Sequence, residues 1–146
     1  MTSVHIEGVR LVDAPPDRVF AALTDPAVVA AAIPVVRSHR VIDDDHWECK
    51  VQAPIPFAPA MTIHFEVVER RPPDHAEIRS RGGGAVVTSS FDLSPEGGAT
   101  RVRWHADLEL QGILAAFGGH ALEPVARRAS DRVLDRVESA AGEPGP

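Results

Sequence analysis

Cysteine is almost missing from this chain: Cys49 is the only one in 146 residues. No disulfide can form within one molecule, and no set of thiolates can hold a zinc ion. The same scarcity suits a reducing compartment, so a cytoplasmic protein is expected. Tyrosine is absent altogether, which excludes acid–base chemistry built on a phenol hydroxyl. Positive charge is in deficit, with 15 Lys and Arg against 21 Asp and Glu and a formal net charge of −6. Nucleic-acid binding rests on neutralising phosphates, so neither DNA nor RNA is an expected partner. No apolar run approaches the roughly 18 residues that a transmembrane helix needs. Residues 1–7 lack the basic start and apolar stretch of a secretion signal.

What is present is globular: 44% of residues are hydrophobic and 25% charged. The length suits one domain, which we place at residues 1–141, followed by a disordered tail at 142–146 that begins Gly-Glu-Pro-Gly. Residues 4–12 alternate as a strand, with Gly8 shifting the apolar phase from Ile6 to Val9 and Leu11 as a bulge would. Asp13-Ala14-Pro15-Pro16-Asp17 reads as a helix start, and Val19, Phe20 and Leu23 share a face of that helix. Asp25-Pro26 starts a second short helix that Pro34 stops.

From residue 35 to 110 the period is two, and turn signals at 43–45, 54–59, 72–74, 82–84 and 94–98 divide the stretch into about six antiparallel strands. Val102, Trp104, Ala106, Leu108 and Leu110 form the dry face of the clearest strand, and Arg101, Arg103, His105, Asp107 and Glu109 its wet face. Trp47, Cys49, Val51 and Ala53, then Met61, Ile63, Phe65 and Val67, repeat the pattern. After Gly112 the period becomes helical, with a stripe of Leu114, Phe117, Ala121, Val125, Ala129, Val133 and Val137. Gly118-Gly119 and Pro124 interrupt it, which predicts a hinge and a main helix from about Glu123 to Ala141. The fold class is therefore α+β: a curved antiparallel sheet of about seven strands around a long C-terminal helix, with two short helices after strand 1. One helix, about 10 Å across with its side chains, cannot fill a wide curled sheet, so an apolar hollow is expected between them.

These residues also carry a family resemblance. The stretch Val9-x-Leu11-x-x-Ala14-Pro15-x-x-x-Val19-Phe20-x-x-Leu23-x-Asp25-Pro26, followed by Ile33-Pro34, resembles the opening of the SRPBCC (START-like, helix-grip) superfamily. Later marks are Gly98-Ala99-Thr100-Arg101-Val102-x-Trp104 and Gln111-Gly112-Ile113-Leu114-Ala115-x-Phe117-Gly118. Within the superfamily the likeness is greatest to the G-subunit family of carbon monoxide dehydrogenase. This chain has Val35 where that family usually has glycine, and it stops soon after the long helix, so a membrane-anchoring role is not expected. The coenzyme Q-binding and polyketide cyclase branches are similar in length.

The resemblance implies a cavity for a hydrophobic small molecule such as a lipid, a quinone or a polyketide-like ring. It also implies a role as accessory protein of a larger redox enzyme. The residues expected to line the cavity are Phe65, Phe91, Trp104 and Leu108 from the sheet, with Leu114, Phe117, His120, Ala121 and Val125 from the helical part. Phe57 and Met61 are placed at its mouth. Taken singly, each apolar residue is accounted for by ordinary core packing; only the group suggests a pocket.

Seven histidines form no metal-ligand spacing, so neither a metal nor a cofactor is expected. His120, beside the glycine pair, is the one placed to donate a hydrogen bond to a guest or act as a base. Ser80 and Ser89, with Arg37 or His39 depending on phase, are the polar residues assigned to dry faces, and Cys49 reads as an inert core thiol. No catalytic residue is assigned. Ligand binding without catalysis is the favoured reading, and an aromatase/cyclase-type enzyme is the alternative. Arg128, Arg132 and Arg136 read as a solvated helix face balanced by local ion pairs, and Arg81-Gly82-Gly83-Gly84 as a turn.

Overall fold

The two-residue alternation becomes six consecutive strands in the computed structural model, which describes residues 2–52, 59–112, 115–116 and 119–142. The order is β1 (Thr2–Val12), α1 (Pro16–Leu23), α2 (Pro26–Ala32), β2 (Val36–Asp43), β3 (His46–Val51), β4 (Met61–Arg71), β5 (His75–Gly82), β6 (Ala85–Glu96), β7 (Ala99–Leu110) and α3 (Gly119–Ala141). All seven strands form one curved antiparallel sheet in the order β1-β7-β6-β5-β4-β3-β2. The two short helices carry the chain from one edge of the sheet to the other, and a meander brings it back to β1. With α3 laid on the inner face, this is the helix-grip arrangement.

Local chemistry sets the punctuation. Pro16 and Pro26 stand at the first helical positions, and the Asp25 carboxylate accepts the Ala27 amide at 3.0 Å to cap α2. Gly83-Gly84 and Gly97-Gly98 form the two-residue turns of the β5–β6 and β6–β7 hairpins. All four have positive φ, as type I′ turns require.

Strand β1 departs from the expected bulge. Its register against β7 runs unbroken from Thr2 opposite Leu110 to Val12 opposite Thr100. Val4, Ile6 and Val12 are therefore buried on the inner face, while Val9 and Leu11 are more than half exposed on the outer one. The position that a phase shift would have spared is Arg10, which points toward α3. There its guanidinium meets Asp135 at 2.6 Å and Glu138 at 3.3 Å. Glu138 also accepts the Asp13 amide at 2.9 Å, and Arg127 donates to the Glu7 carbonyl at 3.2 Å. A charged residue is tolerated at an inward position because the helix brings its partners. At the β1–α1 junction, buried Thr100 donates to the Ala14 carbonyl at 2.7 Å.

Helix α3 corrects two further expectations. It begins at Gly119 and continues through Pro124 instead of starting at Glu123 after a hinge. Pro124 costs one backbone hydrogen bond, and the His120 carbonyl it leaves unserved belongs to an exposed residue, where water can serve it. The helix's charges are also arranged differently. Glu123 pairs with Arg127 at 3.3 Å, but Asp135 is turned to Arg10 rather than to a neighbour on its own helix. No described helix is long and apolar enough to cross a membrane.

Candidate ligand-binding site

Two apolar clusters make up the core. One joins β1, α1, β6, β7 and the C-terminal half of α3 around Ile6, Leu23, Trp104 and Leu134. The other joins α2, β3, β4 and β5 around Val29, Trp47, Cys49 and Ile78. Phe91 packs against both. Between them lies a cavity of about 400 Å³, within the range of small-molecule pockets.

The sheet floors the cavity with Phe65 on β4, Phe91 on β6, and Trp104 and Leu108 on β7. Helix α3 roofs it with Ala126, Ala129, Ser130, Val133 and Leu134, and Ile33 and Val35 close the side beyond α2. Phe65 is a stiff wall because it stacks on Trp47 directly across β3 and β4, with ring centres 5.2 Å apart and planes 4° from parallel. Trp47 is itself buried, and its indole N–H is the one buried side-chain donor without a partner among the described residues.

Polar groups are few. Ser80, Ser89, Ser130 and Cys49 border the cavity, and no Asp, Glu, Lys, Arg or His does so among the described residues. Burial pushes the Cys49 thiol up to about 11, so it is a neutral thiol and not a thiolate. No group of three His, Cys, Asp or Glu is arranged to hold a metal among those residues. A second, more open depression of about 240 Å³ lies between α1 and the end of α3. It is bordered by Arg18 and Asp25 and lacks the apolar enclosure of the first.

The structure thus brings Phe65, Phe91, Trp104 and Leu108 together around one space. It does not bring in His120, Ala121 or Val125: all three are exposed on α3, Val125 by 59%, and none borders the cavity. The reason is geometric. A helix turns about 100° per residue, so a ladder of four-residue steps slips by about 40° each time. Val133 faces inward, and two steps back Val125 has rotated by about 80°, three steps back Ala121 by about 120°. Spacing that mixes threes and fours, 126-130-133-137, would have found the true face. Arg37 and His39 are exposed on edge strand β2, and neither borders the cavity. Leu114, Phe117 and Phe57 lie outside the described residues, and Met61 is 40% exposed. Ile33 and Val35 were missed because nothing in a short apolar run reveals whether it meets the cavity or the packed core.

The model of the family described as polyketide cyclase/dehydrase and lipid transport matches residues 3–142. No curated protein matches the chain. Among solved structures, a conserved protein from Geobacillus kaustophilus is similar at a TM-score of 0.82 and 21% identity, covering 93% of each chain. The Zhui aromatase/cyclase from Streptomyces sp. R1128 is similar at a TM-score of 0.70 and 16% identity, with 95% of this chain and 93% of that one covered. A START superfamily protein from Mycobacterium smegmatis has a TM-score of 0.74 and 11% identity over 94% and 96% of the two chains. At such identities these structures share the fold.

Proposed function

The chain belongs to the polyketide cyclase/dehydrase and lipid transport family, and from that premise we propose that this protein binds a hydrophobic small molecule between sheet and helix without transforming it. A lipid, a quinone or a polyketide-like ring is the class of guest. The observation that carries the reading is the cavity of about 400 Å³ with aromatic and aliphatic walls. Each methylene moved from water into such a space contributes about 0.8 kcal/mol.

Binding is favoured over cyclisation by the cavity's chemistry. An acid–base enzyme needs a titrating group within reach of its substrate. Among the described residues the serines that border the cavity have no adjacent base there, Cys49 is held neutral, and His120 is exposed on the helix. The likeness to the carbon monoxide dehydrogenase family rests on the sequence motifs alone. Docking on a larger redox enzyme is what that likeness suggests, and co-purification from the native host would test it.

The test of the main proposal is native mass spectrometry of the purified protein, with organic extraction of whatever it carries, and a thermal-shift screen of quinones, lipids and aromatic polyphenols. A bound apolar mass, or a raised melting temperature with one of these classes, is expected. A protein that is empty in every preparation and unshifted by all of them would overturn it.

A further inference from the structure

The cavity's few polar atoms define the kind of guest more narrowly. Ser80 on β5 lies opposite Val87, and Ser89 on β6 lies opposite Ile78. The two serines are therefore diagonal neighbours on one face of the sheet, within about 8 Å of each other. Both border the cavity, and neither hydroxyl has a hydrogen-bond partner among the described residues. Across from them Ser130 spends its proton on the Ala126 carbonyl at 3.0 Å, which leaves its oxygen able only to accept. No charged side chain borders the space among the described residues. The positions outside them in the chain interior, 53–58, 113–114 and 117–118, hold only Ala, Pro, Ile, Phe, Leu and Gly.

We infer that the cavity selects an uncharged apolar guest bearing a hydroxyl or carbonyl oxygen, with Ser80 and Ser89 as the groups that receive that oxygen. The inference rests on the reading of the cavity as a ligand site. An ionised guest would give up its hydration and find no opposite charge, a cost that neutral hydroxyls do not offset. A pure hydrocarbon would strip water from two serines and leave them unpaired. An oxygen-bearing neutral ring avoids both penalties, and a site built around hydroxyls discriminates most strongly against analogues that lack the matching group.

Equilibrium dialysis near pH 7 with three probes of one ring system tests this: naphthalene, 2-naphthol and 2-naphthoate. The wild-type chain is expected to bind 2-naphthol about tenfold more tightly than naphthalene, and 2-naphthoate at least about a hundredfold more weakly than 2-naphthol. The double variant Ser80→Ala/Ser89→Ala should lose the preference for 2-naphthol while still taking up naphthalene, and Ser80→Thr/Ser89→Thr, which keeps both hydroxyls, should retain it. Equal binding of all three probes, or a preference that survives in the alanine variant, would overturn the inference and leave the cavity's role intact. Failure of every probe to bind would overturn the inference, and only together with an empty protein in native mass spectrometry would it overturn the reading of the cavity as well. If the alanine variant does not fold, the ranking on the wild-type chain decides.

Discussion

Gly8 on β1 faces Trp104 directly across the sheet, and the indole occupies the room that a side chain at Gly8 would need. A Cβ there would lie 2.8 Å from Cζ2 and 2.9 Å from Cε2 of the ring. The missing side chain lets a large aromatic lie flat at the junction of β1 and β7 while still bordering the cavity.

Gly8→Val is therefore expected to drive Trp104 from its place. Overpacking of this kind costs about 1–3 kcal/mol, which should appear in thermal unfolding as a melting temperature lower by roughly 3–10 °C. The same variant should bind 2-naphthol less tightly, because the displaced indole has the cavity to move into. A variant as stable as the parent would show that the ring has another place to go.

Cys49 supplies a second check. Its thiol is fully buried and pushed up to about 11, so almost none is thiolate at neutral pH. The native protein should resist alkylation by iodoacetamide near pH 8, and the denatured chain should react within minutes. Mass spectrometry after timed quenching reads both. Rapid labelling of the native state would mean that the floor of the cavity opens to solvent.

Arg10 anchors α3. Arg10→Gln removes the pairing with Asp135 and Glu138, leaving two carboxylates close together on the helix. Because both partners are partly exposed, the loss expected in chemical denaturation is about 1 kcal/mol, shrinking as salt is added. No change at low salt would show that the Arg10 ion pairs do not help to dock the helix.

Two outer-face histidines give the pH dependence a direction. His5 is raised above its ordinary value by hydrogen bonds to Asp107 and Glu7, and His46 by its bond to Asp43, whose own carboxyl is lowered. For a histidine whose folded value is raised, the stabilisation is complete below the unfolded value near 6.5 and disappears as pH rises through the folded one. The Asp43 contribution runs the other way at the acid end, lost as pH falls through its lowered value. Proton NMR titration should place His5 and His46 above 6.5, and Asp107→Asn should bring His5 down. A wild-type His5 titrating at or below 6.5 would contradict this bonding.

By itself the amino-acid order determined the strands and the two short helices. Alternation of the kind seen in 100–110, turns at Gly83-Gly84 and Gly97-Gly98, and prolines at 16 and 26 act on the local backbone, so they are legible without the fold. Along β3, β4 and β7 it also determined which residues face inward, because a pleated strand has only two faces. Phe65, Phe91, Trp104 and Leu108 were found for that reason. What only the tertiary structure decided is how the helix is turned against the sheet, and hence that Ala126, Ser130 and Leu134 meet the cavity while Ala121 and Val125 meet water. A helix offers a continuum of faces, and its rotation is fixed by distant partners, among them Arg10 on β1 gripping Asp135 and Glu138. The phase of β1 was decided in the same way, since an inward arginine is unreadable until the carboxylates that satisfy it are in place.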